Sequence, residues 1–263
     1  LIEETNQSLA DTKVWLDTSA QFGPLVKPII TPRFVPSCTS ELMTGLAKLA
    51  KEYDVPVQSH LSENHGEIDW VASLHPESSN YTDVYYEHHL MGTVPTVMAH
   101  CIHLSDVEMD RMAETQTMVS HCPYSNVNLS SGIAPIRKLI ERNIPIGLGS
   151  DISGGHIVSM AKVLTEAIGL SKMKWAEVDP NYAPLTLSEA FYMATKGGGQ
   201  FFGHVGSFEK GYELDALIID DTSLFDPNER SLEERLERWL YVGDDRHIIE
   251  RYVAGRVVPS PKG

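Results

Sequence analysis

Short, nearly continuous apolar runs alternate along the chain with stretches of helical period. The runs are Pro28–Phe34 (PIITPRF), Val55–Leu61 (VPVQSHL), Thr96–Cys101 (TVMAHC), Met118–Pro123 (MVSHCP) and Pro145–Asp151 (PIGLGSD). Each closes on polar residues. This is the pattern of strands buried on both faces, as in a parallel sheet. Between them, Leu42, Leu46 and Leu49 recur at i, i+4 and i+7, a helical face. Ser105-x-x-Glu108 is a capping box, with Leu104 and Met109 placed as its hydrophobic staple. Thr186-x-x-Glu189 is a second box, opening a helix predicted to reach about Phe202. The first ~20 residues also carry a helical pattern. The order is helix, strand–helix repeated, then a further helix, which predicts an α/β fold with parallel strands. There is no solenoid repeat and no low-complexity tract.

The pattern changes near Gly203. Gly206–Asp220 (GSFEKGYELDALIID) reads as turn and strand, Ser231–Trp239 (SLEERLERW) as a helix and Arg251–Val258 (RYVAGRVV) as a hairpin. The expected division is therefore 1–205, an α/β body, and 206–263, a small β-rich appendage with one inserted helix.

The chain has 263 residues, 42% hydrophobic and 22% charged, an ordinary globular balance that argues against disorder. Its formal charge of −15 disfavours nucleic-acid backbones and anionic membranes as partners, though not a neutral heterocycle. No apolar run approaches the ~20 residues of a membrane span. Cys38, Cys101 and Cys122 are odd in number and sit in apolar contexts, the pattern of reduced thiols in a cytoplasmic protein. The chain begins at Leu1, without Met or a signal pattern, so it is expected to be a piece of something longer.

In parallel α/β architectures the working residues gather at the C-terminal ends of strands. Arg33, His60, His100, His121 and Asp151 fall at or near those ends. His60 with Asp151 reads as a metal pair, since imidazole and carboxylate suit zinc or iron(II). Glu63 lies three residues past His60, where a carboxylate can shuttle the proton of an attacking water. The plainer alternatives are a backbone-bonded strand histidine and a helix-capping aspartate. His100 has two roles open, as a ligand or as a hydrogen-bonding partner of the nucleophile or substrate. His121 reads first as a loop-orienting residue, and His103 as a surface residue or a support behind a ligand. A Cys/His zinc knot is disfavoured because the paired CxxC or HxxxH spacing is missing. Gly147–Gly155 (GLGSDISGG) fails the dinucleotide fingerprint, and its glycines more simply let the backbone turn around Asp151. Lys196–Gly199 (KGGG) reads as close packing or a helix kink. Arg33-Phe34 offers a guanidinium fork beside a stacking face, with a structural ion pair and a core aromatic as the alternative.

QSHLSEN (Gln58–Asn64), VMAHCIHLS (Val97–Ser105), HCPYSN (His121–Asn126) and GLGSDISGG (Gly147–Gly155) resemble the amidohydrolase superfamily. KPIITPRFVPSC (Lys27–Cys38) and YVGDDRHI (Tyr241–Ile248) resemble, within it, the guanine deaminases. The resemblance implies a (β/α)8 TIM-type barrel holding one divalent ion, Zn2+ or alternatively Fe2+, and hydrolysis of guanine to xanthine and ammonia by a homodimeric enzyme. It assigns His60 and Asp151 as metal ligands, and Glu63, His100 and Asp151 as catalytic residues. It places Arg33, Phe34, His60, Glu63 and Asp151 around a small-molecule purine. The five runs would be barrel strands 4–8, and 206–263 the C-terminal part of a small β-sandwich. One departure stands out: the His-x-His pair of the family's first strand occurs nowhere in the sequence. The expectation is thus a partial barrel, inactive alone. Two alternatives remain, an aminohydrolase or chlorohydrolase of a triazine or adenosine derivative, and a metal-free scaffold with a cytoskeletal or regulatory partner.

Overall fold

The computed structural model describes residues 2–259. Its contacts divide the chain into two bodies, Leu1–His121 with Ser130–Pro145, and Cys122–Leu129 with Ile146–Gly263.

In the first body, α1 (Thr5–Thr18) starts where the Glu4 carboxylate accepts the Gln7 amide, and α2 (Ser40–Tyr53) where the Thr39 hydroxyl accepts that of Leu42. The buried face of α2 is Met43, Leu46, Ala47 and Ala50. It is rotated from the Leu42/Leu46/Leu49 face by the crossing with α1, where a Cβ on Gly45 would lie 2.6 Å from Leu9 Cδ1. Strands β1 (Val57–Leu61), β2 (Thr96–His100) and β3 (Met118–His121) pair in parallel, with Val57 opposite Thr96, Leu61 opposite His100 and Val97 opposite Met118. Three parallel strands in the order β1-β2-β3, joined by helices, bear out the α/β expectation, and β4 (Ile146–Leu148) follows in the second body.

The first expected strand is corrected. Pro28–Phe34 contributes a single bridge, Ile30 to Val57. Ile30 donates to Pro56 O and its carbonyl accepts from the Gln58 amide. Pro28 and Pro32 on either side have no N–H to extend the ladder. The crossovers are α3 (His65–Leu74), α4 (Tyr81–Glu87) and α5 (Asp106–Glu114), with α7 (Ile136–Glu141) after β3. The Ser105/Glu108 capping box is formed, and it does more than cap. Glu108 Oε2 accepts from the Ser105 amide and hydroxyl, while Oε1 accepts from the Thr82 hydroxyl at 3.2 Å, joining α5 to α4.

The second body holds α6 (Pro123–Asn128), α8 (Met160–Glu177) and α9 (Leu187–Tyr192). The Thr186/Glu189 box is formed, and the helix runs on to residue 199 through a π-turn at Met193–Gly197. Close packing sets this segment: a Cβ on Gly199 would sit 2.3 Å from Val205 O, and one on Gly197 3.0 Å from Ile146 O. The tail forms β5 (Ala216–Ile219), α10 (Leu232–Val242), β6 (Ile248–Val253) and β7 (Arg256–Val257). These three strands make an antiparallel sheet, order β5-β6-β7. Its hairpin turns on Ala254 and Gly255, both at positive φ. None of the three cysteines is in a disulfide, and no described helix is long and apolar enough to cross a membrane.

Candidate metal centre

His60 occupies the penultimate position of β1. Its Nδ1 lies 2.5 Å from the carbonyl of Arg33. A carbonyl only accepts, so Nδ1 carries the proton and Nε2 keeps its lone pair, the tautomer a metal ligand requires. The bonding is that of the backbone-tied histidine, yet it leaves the second nitrogen available. The Arg33 segment is itself fixed to β1: the Ser59 hydroxyl donates to Pro32 O at 2.7 Å, and the Tyr85 hydroxyl donates to His60 O at 2.8 Å. Tyr85 is fully buried, and desolvation pushes its phenol up, so it remains a donor.

His100 ends β2 with φ 71°, and Cys101 follows at φ 51°. Two successive non-glycine residues in the left-handed region bend the chain sharply at the strand end. The His100 ring is buried and stacks on His60 with centroids 5.4 Å apart and planes 23° apart. Its Nε2 is 3.6 Å from Glu63 Oε2.

Glu63 is held at both ends. Its amide donates to Glu67 Oε2 at 2.9 Å, and the other Glu67 oxygen accepts from the Tyr81 hydroxyl at 2.7 Å. Glu67 is also the N3 residue of the capping box that opens α3 from Asn64. The Glu63 side chain accepts a hydrogen bond at Oε1 from the Ser131 hydroxyl, at 2.9 Å. Ser131 and Glu67 were not reached by the sequence reading. Glu67 carried a findable signal, Asn64-x-x-Glu67, whereas Ser131 lies 68 residues from its partner.

His121 closes β3, buried, with its Nδ1 lacking a hydrogen-bond partner among the described residues. Burial, aided by repulsion from His100, pushes its pKa down to about 3, so it is neutral at ordinary pH. His103 donates from Nε2 to Ser131 O at 2.8 Å and packs against the His65 ring at 4.0 Å.

Arg33 is exposed, its guanidinium 5.4 Å from the centre of the Phe34 ring. Phe34 meets Trp70 edge-on at 6.2 Å, adding an aromatic from α3 that strand-end counting does not reach. Asp151 lies three residues past β4, at φ 44°. It does not cap the next helix, which begins at Met160 with Ser159 as its N-cap. The glycines after it make its turn possible. A Cβ on Gly154 would fall 2.5 Å from Asp151 Oδ2, and one on Gly155 2.4 Å from Ser150 O.

His60, His100 and Asp151 are a group of residues of metal-ligating type. Two imidazoles and a carboxylate suit a borderline divalent cation such as zinc. The amidohydrolase family model matches residues 8–258. The chain belongs to the amidohydrolase family.

Relatives within that family are close. Guanine deaminase of Dictyostelium discoideum is 44% identical over 265 residues, 98% of this chain and 58% of that protein. The crystal structure of a guanine deaminase from C. acetobutylicum with guanine in its active site matches 98% of this chain and 61% of that one, with 52% identity and a TM-score of 0.95. A zinc-bound adenosine deaminase from Xanthomonas campestris shares this amidohydrolase's fold, with a TM-score of 0.83 at 21% identity over 96% of this chain and 56% of that one. The amidohydrolase chain thus spans somewhat under two thirds of the relatives it matches.

Proposed function

We propose that this chain carries most of the active site of a guanine deaminase, which hydrolyses guanine to xanthine and ammonia. One observation carries the reading: His60 and His100 stack at adjacent strand ends, with Glu63 fixed beside His100. The guanine-bound relative at 52% identity supports the substrate.

His60 and Asp151 would hold the ion, Zn2+ in preference to Fe2+, with His100 beside them as a third ligand or as a hydrogen-bonding partner of the nucleophile. When bound, such an ion lowers the pKa of water and so supplies a nucleophile at neutral pH. The chain's own groups do the rest. Glu63 removes a proton from the attacking water and delivers it to the ring nitrogen beside C2. Asp151 shares the second proton, which leaves with the 2-amino group as ammonia. The water oxygen stays on C2, so the atoms of guanine and water become xanthine and ammonia. Arg33 grips the 6-oxo group and Phe34, braced by Trp70, stacks on the ring.

The parallel strands fit part of a (β/α)8 barrel and the three-stranded tail part of a β-sandwich, with the boundary near residue 206. The unbridged cysteines support a reducing, cytoplasmic setting. The assembled enzyme is read as a homodimer, which sedimentation of the full-length protein tests.

The test of function is Glu63→Gln in the full-length protein. The expected result is a loss of about 10²- to 10⁴-fold in kcat with zinc content unchanged. Near-normal turnover removes the proton shuttle. Ammonia release from guanine, adenosine and triazines separates the substrate classes, and a preference for either of the latter overturns the purine assignment.

A further inference from the structure

Ser131 stands 68 residues from Glu63 in sequence, yet its hydroxyl donates to Glu63 Oε1 at 2.9 Å. It is only 7% exposed. Its backbone is fixed from the other side, because His103 Nε2–H donates to the Ser131 carbonyl at 2.8 Å and His65 packs on His103. The loop is pressed into this position. Ser130 has φ 57° and Gly132 φ 131°. A Cβ on Gly132 would meet Ile102 Cγ2 at 3.0 Å and His103 Cε1 at 3.2 Å. A side chain there would push the loop away from His103 and carry the Ser131 hydroxyl with it.

We propose that Ser131, braced by His103, is a positioning residue that divides the labour of the two Glu63 oxygens. This rests on Glu63 being the proton shuttle. A serine hydroxyl has one hydrogen, and it is spent on Oε1. Oε2 is the oxygen that faces His100 Nε2, and it is the one that carries the travelling proton. Without the hydroxyl the carboxylate rotates about its last torsion, which is broad and roughly two-fold. The reactive oxygen then spends only part of its time aimed at the water.

The experiment is kinetic and structural, on the zinc-loaded full-length protein. Ser131→Ala is expected to lower kcat about tenfold to a hundredfold, as for loss of a hydrogen bond to a charged group. KM stays within about twofold and zinc content is unchanged, since neither ligand nor ring contact is removed. Ser131→Thr, which keeps the hydroxyl, restores most of the rate. In a Glu63→Gln background Ser131→Ala has almost no further effect, because both act through one group. Crystals of metal-free Ser131→Ala show Glu63 in more than one rotamer. Should the alanine variant not fold, Ser131→Cys, nearly isosteric with a weaker donor, makes the same comparison. An unchanged kcat, or losses that multiply in the double variant, overturns the proposal. A Glu63→Gln enzyme with normal turnover removes the shuttle itself, a different failure read from a different variant.

Discussion

At the scale of single residues, the site depends on backbone groups that fix side-chain chemistry. The Arg33 carbonyl selects the His60 tautomer, and the absence of a Cβ at Gly154 leaves room for the Asp151 carboxylate. Gly154→Ala should therefore act as a metal-site variant. Its Cβ would fall 2.5 Å from Asp151 Oδ2 and displace it. Zinc affinity, measured by competition with a chelator, is expected to fall about 10- to 100-fold, the range seen when a ligand's support is disturbed. Wild-type affinity in that variant would mean that Asp151 does not hold the ion. His60, His100 and Asp151 were legible as candidates because each is an ionisable residue closing an apolar run, and the stacking of His60 on His100 follows from their adjacent parallel strands. Ser131 was not, since a serine in a polar loop is indistinguishable from many others until the fold brings it to Glu63. His103 was legible only as an open choice, and its bond to the Ser131 carbonyl makes it a support.

Among the elements, both capping boxes read from the sequence are formed, because the Ser/Thr-x-x-Glu pattern is local and needs no tertiary knowledge. The one failure was of the opposite kind. The Pro28–Phe34 run has strand composition, but its prolines confine it to one bridge. The helix from Thr186 does run on to residue 199, close to the expected end near Phe202, and what the sequence hid is the π-turn at Met193–Gly197, set by glycines packed on distant backbone. The two partners of the α5 box should differ in cost. Ser105→Ala removes a cap and is expected to cost about 1 kcal/mol. Glu108→Ala also strips the acceptor of the buried Thr82 hydroxyl, which adds about 1–3 kcal/mol. Urea melts of the two variants check the order, and equal losses would show that the link from α5 to α4 contributes nothing.

For the whole molecule, acid stability carries the imprint of His121. Its pKa is about 3 when folded, against an ordinary value of 6.5. Between those values the unfolded chain binds a proton that the folded chain refuses. Stability is therefore full above pH 6.5 and falls on acidification, by about 1.4 kcal/mol per pH unit for this group, until about pH 3. Urea midpoints taken with a chelator present should show a shallower decline in His121→Gln. Identical slopes would mean that His121 titrates while folded. Residue 33 has a broader consequence. The atom that orients His60 belongs to its main chain, so every amino acid placed there supplies the same acceptor. Under the proposed function, what varies with the side chain is only the grip on the guest ring. A change of ring preference through position 33 therefore begins with cation retention already secured, and specificity on this scaffold can drift without first losing its chemistry.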